Sequence, residues 1–136
     1  MPISTVLRGS AISGNLQRLE RSSVAPRPLT AAERAVLDRV LDREFDGVDR
    51  LRAQVAELRV RDGCGCGCPS VWFQDDAPGG MEVIAEGRTN SGDCSVLLFV
   101  DGERRLYAME VMWLTDAPPS EWPDLNSLES DRHRRA

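Results

Sequence analysis

A chain of 136 residues with 22 acidic residues against 17 Arg and no Lys carries a net charge of −5 and fits one domain able to bury a core without staples. An acidic body disfavours a polyanion, so nucleic acid is not an expected partner, and the absence of Lys rules out a Walker loop. No segment is apolar for long enough to span a bilayer, which removes a membrane helix from the expectations.

Charge is unevenly placed. Residues 1–28 hold a net +3, leaving −8 for the rest, and they lack any sustained apolar period. With Ser22, Ser23, Pro26 and Pro28 reading as a linker, 1–28 is expected to be a flexible basic arm. Leu29-Thr30-Ala31-Ala32-Glu33 then has the form of a capping box, Thr30 capping the Glu33 amide and Glu33 reaching back. Val36, Leu37, Val40, Leu41 and Phe45 keep helical spacing, and Asp46-Gly47 supplies a stop, so one helix is expected over 29–46. Val48, Leu51 and Val55 suggest a second short helix near 48–54. The alternation of Leu58 and Val60 with Arg59 and Arg61 suggests a strand near 56–62.

Four more strands are expected at Pro69–Gln74, Met81–Glu86, Cys94–Val100 and Glu103–Leu114, the last two joined by a two-residue turn at Asp101-Gly102. Pro118, Pro119 and Pro123 exclude regular pairing in the following segment, where Trp122 should anchor the chain to the body, and 130–136 is expected to be a disordered tail. The fold class is therefore α+β: an N-terminal helix or helix pair packed on an antiparallel meander of about five strands, with 29–129 as the single domain. The N-terminus has no hydrophobic run resembling a signal peptide, so the expected location is cytoplasmic, with free thiols rather than structural disulfides.

One motif carries chemistry: Cys64-Gly65-Cys66-Gly67-Cys68. Thiolates are soft ligands suited to zinc or an iron–sulfur cluster. Sulfurs sharing a tetrahedral zinc sit roughly 3.8 Å apart, whereas alternate residues of a flat strand are about 6.6 Å apart. The run must therefore curl to bind one ion, and glycine spacers permit that. Zinc is the expected ion, held by Cys64, Cys66 and Cys68 with Cys94 as the preferred fourth ligand; Asp75, Asp76, Asp93 and His133 are weaker choices. Three other readings stay open: small thiols packed in a plain tight hairpin, a disulfide formed in air, and a backbone nest for an anion. No catalytic residue is assigned, because the single histidine, His133, stands in the Arg-rich tail and gives no Cys–His pair.

From Leu29 to Leu128 the chain resembles a group of small uncharacterised actinobacterial proteins. The matching stretches are Leu29–Leu37, Phe45-Asp46-Gly47-Val48, Leu51-Arg52-Ala53-Gln54, the cysteine run with Pro69-Ser70-Val71, Leu97-Leu98-Phe99-Val100, and Asp116-Ala117-Pro118-Pro119 with Trp122-Pro123. The all-Arg basic set and high Ala usage fit a GC-rich bacterial genome. The resemblance implies a shared fold and transfers no activity. Two functions follow from the residues: a non-enzymatic binding module with a structural or sensory cysteine–metal site, and a protein-binding module of the immunity or antitoxin type in which the acidic body meets a basic partner. An enzyme ranks third.

Overall fold

The computed structural model describes residues 21–130. Its elements run β1 (Arg21–Pro28), α1 (Ala31–Val40), α2 (Val48–Val55), β2 (Arg59–Cys64), β3 (Val71–Trp72), β4 (Met81–Thr89), β5 (Cys94–Asp101), β6 (Leu106–Trp113), a single 3-10 turn (Leu125–Ser127) and β7 (Leu128–Ser130). The strands form one antiparallel sheet in the order β1-β2-β3-β6-β5-β4-β7. This is the expected α+β class, with seven strands among the described residues rather than about five.

The two additional strands are the outermost ones. The segment Arg21–Pro28, expected as part of a flexible arm, is β1 and pairs with β2. Pro26 and Pro28 hid it from a strand reading, but an edge strand tolerates proline on its solvent side, and the register shifts between Ser23 and Arg27. The short β7 is held by Leu128, which is fully buried and whose carbonyl accepts from Arg39 Nε at 2.9 Å. The rest of the expected arm, residues 1–20, and of the expected tail, 131–136, lies outside the described residues.

The first helix begins as its sequence dictates. Glu33 N–H donates to Thr30 Oγ1 at 3.1 Å, and Thr30 N–H donates to Glu33 Oε1 at 2.9 Å. Its end does not follow the apolar period. The helix stops at Val40, and Gly47, at φ 91°, precedes a separate α2 instead of ending a longer α1. The break is stabilised from α2. Arg52 donates to the Leu41 carbonyl through Nε and Nη2, at 3.2 and 2.9 Å, and to the Arg43 carbonyl at 3.0 Å, satisfying acceptors that the shortened helix frees.

Both helices cover one face of the sheet. Val36, Leu37 and Val40 of α1 and Val48, Leu51 and Val55 of α2 pack with Val60, Val71, Val96, Leu98, Val100, Leu106 and Met109. Trp122 packs on this core from the Pro-rich segment, as expected. Trp72, Phe99, Tyr107 and Ala108 make a second cluster, joined by Cys64 and Leu97. On β6 the alternation is broken once. Phe99 pairs with Ala108 and Val100 with Leu106, so Tyr107 is an extra residue, and Leu106 and Met109 join one cluster while Tyr107 and Ala108 join the other.

The β5–β6 hairpin exists, but not as a two-residue type I′ turn. Arg104 N–H donates to the Asp101 carbonyl at 3.0 Å, Asp101 N–H donates to the Arg105 carbonyl at 2.9 Å, and Arg104 takes φ 64°, which makes a three-residue loop with a left-handed third position. The buried Asp101 carboxylate selects it, with Oδ1 accepting from the amides of Glu103 and Arg105 at 2.8 and 2.9 Å. Gly102 serves packing instead of positive φ, since a Cβ there would meet Gly79 Cα at 2.8 Å.

Among the described residues, three carboxylates have shifted pKa values. Burial pushes Glu33 and Asp101 up, but their hydrogen bonds outweigh it and hold both below the usual carboxylate range: Arg27 and Thr30 for Glu33; the Arg105 amide, Gln74 and the Glu103 amide for Asp101. Their contribution is present above the unfolded pKa and lost as pH falls through the depressed folded one. Glu110 behaves oppositely. It is 4% exposed on β6, and burial raises its pKa to about 7. The folded state therefore holds that proton more tightly, and the contribution, complete below about 4.5, is lost as pH rises through about 7.

Two outcomes are expected. Thr30→Ala should cost about 1 kcal/mol in urea unfolding, the usual loss of an N-cap. Glu110→Gln should raise stability over the parent protein by up to about 3 kcal/mol at pH 8 and change it little at pH 4, with urea midpoints at both pH values as the readout.

Candidate metal centre

The last residue of β2 is Cys64, and the chain turns immediately after it. Gly67 N–H donates to the Cys64 carbonyl at 3.4 Å, closing a four-residue turn, and Gly67 takes φ 101°. A side chain at Gly67 would meet nothing within 4 Å, so the requirement for glycine is one of backbone conformation. The turn converts the flat-strand spacing into a convergent one. The Sγ atoms of Cys64, Cys66 and Cys68 all lie within 4.8 Å of one another.

The loop also aims donors at its sulfurs. Cys66 N–H donates to Cys64 Sγ at 3.5 Å, and Cys68 N–H to Cys66 Sγ at 3.4 Å. Cys64 Sγ and Cys66 Sγ are 3.0 Å apart. Cys68, 5% exposed, has its sulfur 3.4 Å from Ser70 Oγ, and Ser70 Oγ accepts from Val111 N–H at 3.0 Å. Because β3 is only two residues long, Ser70 takes the β6 amide that a longer strand would have paired. Sequence reasoning assigned Ser70 no role, and a lone serine after a proline carries no signal of one.

Without a cation, Cys64 and Cys68 are harder to ionise than an ordinary thiol. Burial pushes the Cys64 pKa far above the usual thiol range, and its hydrogen bond to Cys66 adds to the shift. Burial raises Cys68 as well, although Ser70, by hydroxyl and amide, pulls toward the thiolate. A bound cation reverses this logic, because it supplies the positive charge that thiolates in a half-buried loop lack.

The other expected ligands are elsewhere. Cys94 opens β5 opposite Trp113 and lies outside the three-sulfur group. In the strand order β2-β3-β6-β5 it is three strand spacings from β2, about 14 Å across the sheet. Burial raises its pKa, with Asp93 contributing. Asp75 is exposed and pairs with Arg61 at 3.7 Å, Asp76 and Asp93 are exposed outside the group, and His133 lies outside the described residues. Among the described residues, Cys64, Cys66 and Cys68 are the group of potential ligands that converges. Cys68 also borders a cleft of about 640 Å³ between α1, the cysteine loop and the Pro-rich segment, walled in part by Arg27, Glu33 and Trp122.

Comparison with protein-family models, with curated proteins and with solved structures finds no match. No helix among the described residues is long and apolar enough to cross a membrane. What the protein does must therefore be argued from the site itself.

Ser70→Ala strands the buried Val111 amide and removes the partner of the Cys68 thiol. The expected cost is about 1–3 kcal/mol, measured as a lowered urea midpoint of the metal-free, reduced protein.

Proposed function

We propose that this protein is a non-enzymatic metal-binding module in which Cys64, Cys66 and Cys68 hold one zinc ion as a structural or sensory centre. The observation that carries the reading is the convergence of three Sγ atoms within 4.8 Å on a five-residue loop. Soft thiolate donors suit zinc, and a tetrahedral ion with three protein ligands keeps a fourth position for water or an outside ligand. The amides of Cys66 and Cys68, already directed at sulfur, offset the charge of the thiolates. The Cys64–Cys66 pair opens from 3.0 Å to roughly 3.8 Å to admit zinc, a change within the reach of one side-chain rotation on a glycine-flanked turn. A reducing cytoplasm keeps the thiols available.

The raised thiol pKa values make binding proton-coupled. Loading the ion displaces the thiol protons, so affinity falls as pH falls. Protein purified under reducing conditions without added metal is expected to contain one equivalent of zinc by elemental analysis, or to take up one equivalent of zinc or cobalt. Cobalt uptake should give a thiolate charge-transfer band and release protons into weakly buffered solution. At free zinc 100 times the Kd, folding should gain about 2.7 kcal/mol, visible as a higher Tm that a chelator reverses. Cys66→Ser should show neither band nor Tm shift. Reduced protein that holds no metal and takes up neither ion ends this reading.

A further inference from the structure

The three thiols are close but not equivalent. Cys64 Sγ and Cys66 Sγ are 3.0 Å apart, while Cys68 Sγ is engaged with Ser70 Oγ at 3.4 Å. A separation of 3.0 Å lies between two chemical end states, roughly 3.8 Å for sulfurs sharing zinc and about 2.05 Å for a disulfide. The turn closed by Gly67 N–H and the Cys64 carbonyl holds the first two sulfurs side by side. Exposure orders them for reaction with a solvent-borne oxidant: Cys66 is exposed, Cys64 is half-buried and Cys68 is buried.

We propose that Cys64 and Cys66 form a reversible disulfide, and that this disulfide and the metal ion compete for the same sulfurs. The pair stands on its geometry, whereas the competition rests on the metal reading above. The oxidant is a peroxide. Cys66, as the thiolate, attacks one peroxide oxygen. The O–O bond breaks, the departing hydroxide takes up the proton that Cys66 lost and becomes water, and Cys66 is left as a sulfenic acid. The Cys64 sulfur then attacks the Cys66 sulfur. An S–S bond forms, the S–O bond breaks, and the departing hydroxide leaves as a second water with the Cys64 proton. Two thiols lose two electrons, and hydrogen peroxide becomes two waters. A disulfide across one intervening residue closes a small ring, and strained, exposed disulfides are readily reduced, so a dithiol reverses the step by exchange. While the disulfide lasts, Cys68 is the one sulfur of the cluster still able to bind, and a single thiolate does not retain the ion.

The test uses the full chain carrying Cys94→Ser, which removes the thiol outside the cluster. Reduced protein, with and without bound zinc, is treated with hydrogen peroxide, alkylated and mapped by mass spectrometry, while a colorimetric chelator follows zinc. Expected are a mass loss of two hydrogen atoms, alkylation at Cys68 alone, release of one zinc equivalent, and recovery of both thiols and zinc binding after dithiothreitol. Adding Cys68→Ser should preserve the disulfide, and adding Cys64→Ser should abolish it. A disulfide that includes Cys68, or a Cys66 oxidised beyond sulfenic acid while Cys64 remains alkylatable, overturns the pair. A Cys64–Cys66 disulfide that forms with zinc still held overturns the competition and leaves the metal reading standing. Protein that never takes up zinc defeats the competition together with the metal reading, and the mass measurement then judges the pair alone.

Discussion

The buried Glu33 carboxylate joins the helix, the edge strand and the cysteine strand. Its oxygens accept both terminal nitrogens of Arg27 at 2.9 Å and the Thr30 amide at 2.9 Å. One group therefore caps α1 and ties it to β1, and β1 pairs along β2 to Cys64. Glu33 is buried while Arg27 is part-exposed, so solvent screens the pair in part, and losing Arg27 would leave the carboxylate with the Thr30 amide as its remaining donor. Glu33 and Cys68 also wall the same cleft, which places this polar node beside the cysteine loop.

The cysteine loop is held at both ends by backbone that has other reasons to be where it is. At one end β2 is locked between β1 and β3. At the other, Ser70 is fixed by the Val111 amide in the sheet interior. Between them, one glycine with positive φ turns the chain. Such a loop is preorganised, so little conformational entropy remains to be lost when its sulfurs gather on an ion. Burial makes Cys64 and Cys68 costly to ionise unaided, and a bound cation supplies the charge that offsets this cost.

The centre of the sheet explains why so long a run of β6 is buried. From Leu106 to Val111 every residue is buried. The bulge at Tyr107 lets Leu106 and Met109 enter the helix-side core while Tyr107 and Ala108 join the second cluster. Glu110, next along the strand, is carried into that buried run without an ion-pair partner among the described residues, and its raised pKa is the physical consequence. Continuity of the strand outweighs the desolvation of one carboxyl group that can stay protonated near neutral pH.

Local chemistry was legible in the residues. The capping box at Thr30 and Glu33, the strand at 94–100 and its return partner, which starts at Leu106 rather than Glu103, and the capacity of the Cys64–Cys68 run to curl all follow from side chains within a few positions of one another. What depended on distant partners was not. The helix ends at Val40 because Arg52, eleven residues after Leu41, satisfies the freed carbonyls. The hairpin at Asp101 takes a three-residue loop because a buried carboxylate and the Gly79 backbone select it over the turn that Asp-Gly favours alone. β1 is a strand because β2 offers it an edge, despite two prolines. Cys94 stands apart from the other thiols because the strand order inserts β3 and β6 between β2 and β5. By itself the sequence determined which segments cap, turn and alternate, since those properties are settled by neighbours along the chain. Only the tertiary structure decided which sulfurs meet and that Ser70 holds one of them, because strand order and burial arise from contacts far apart in sequence.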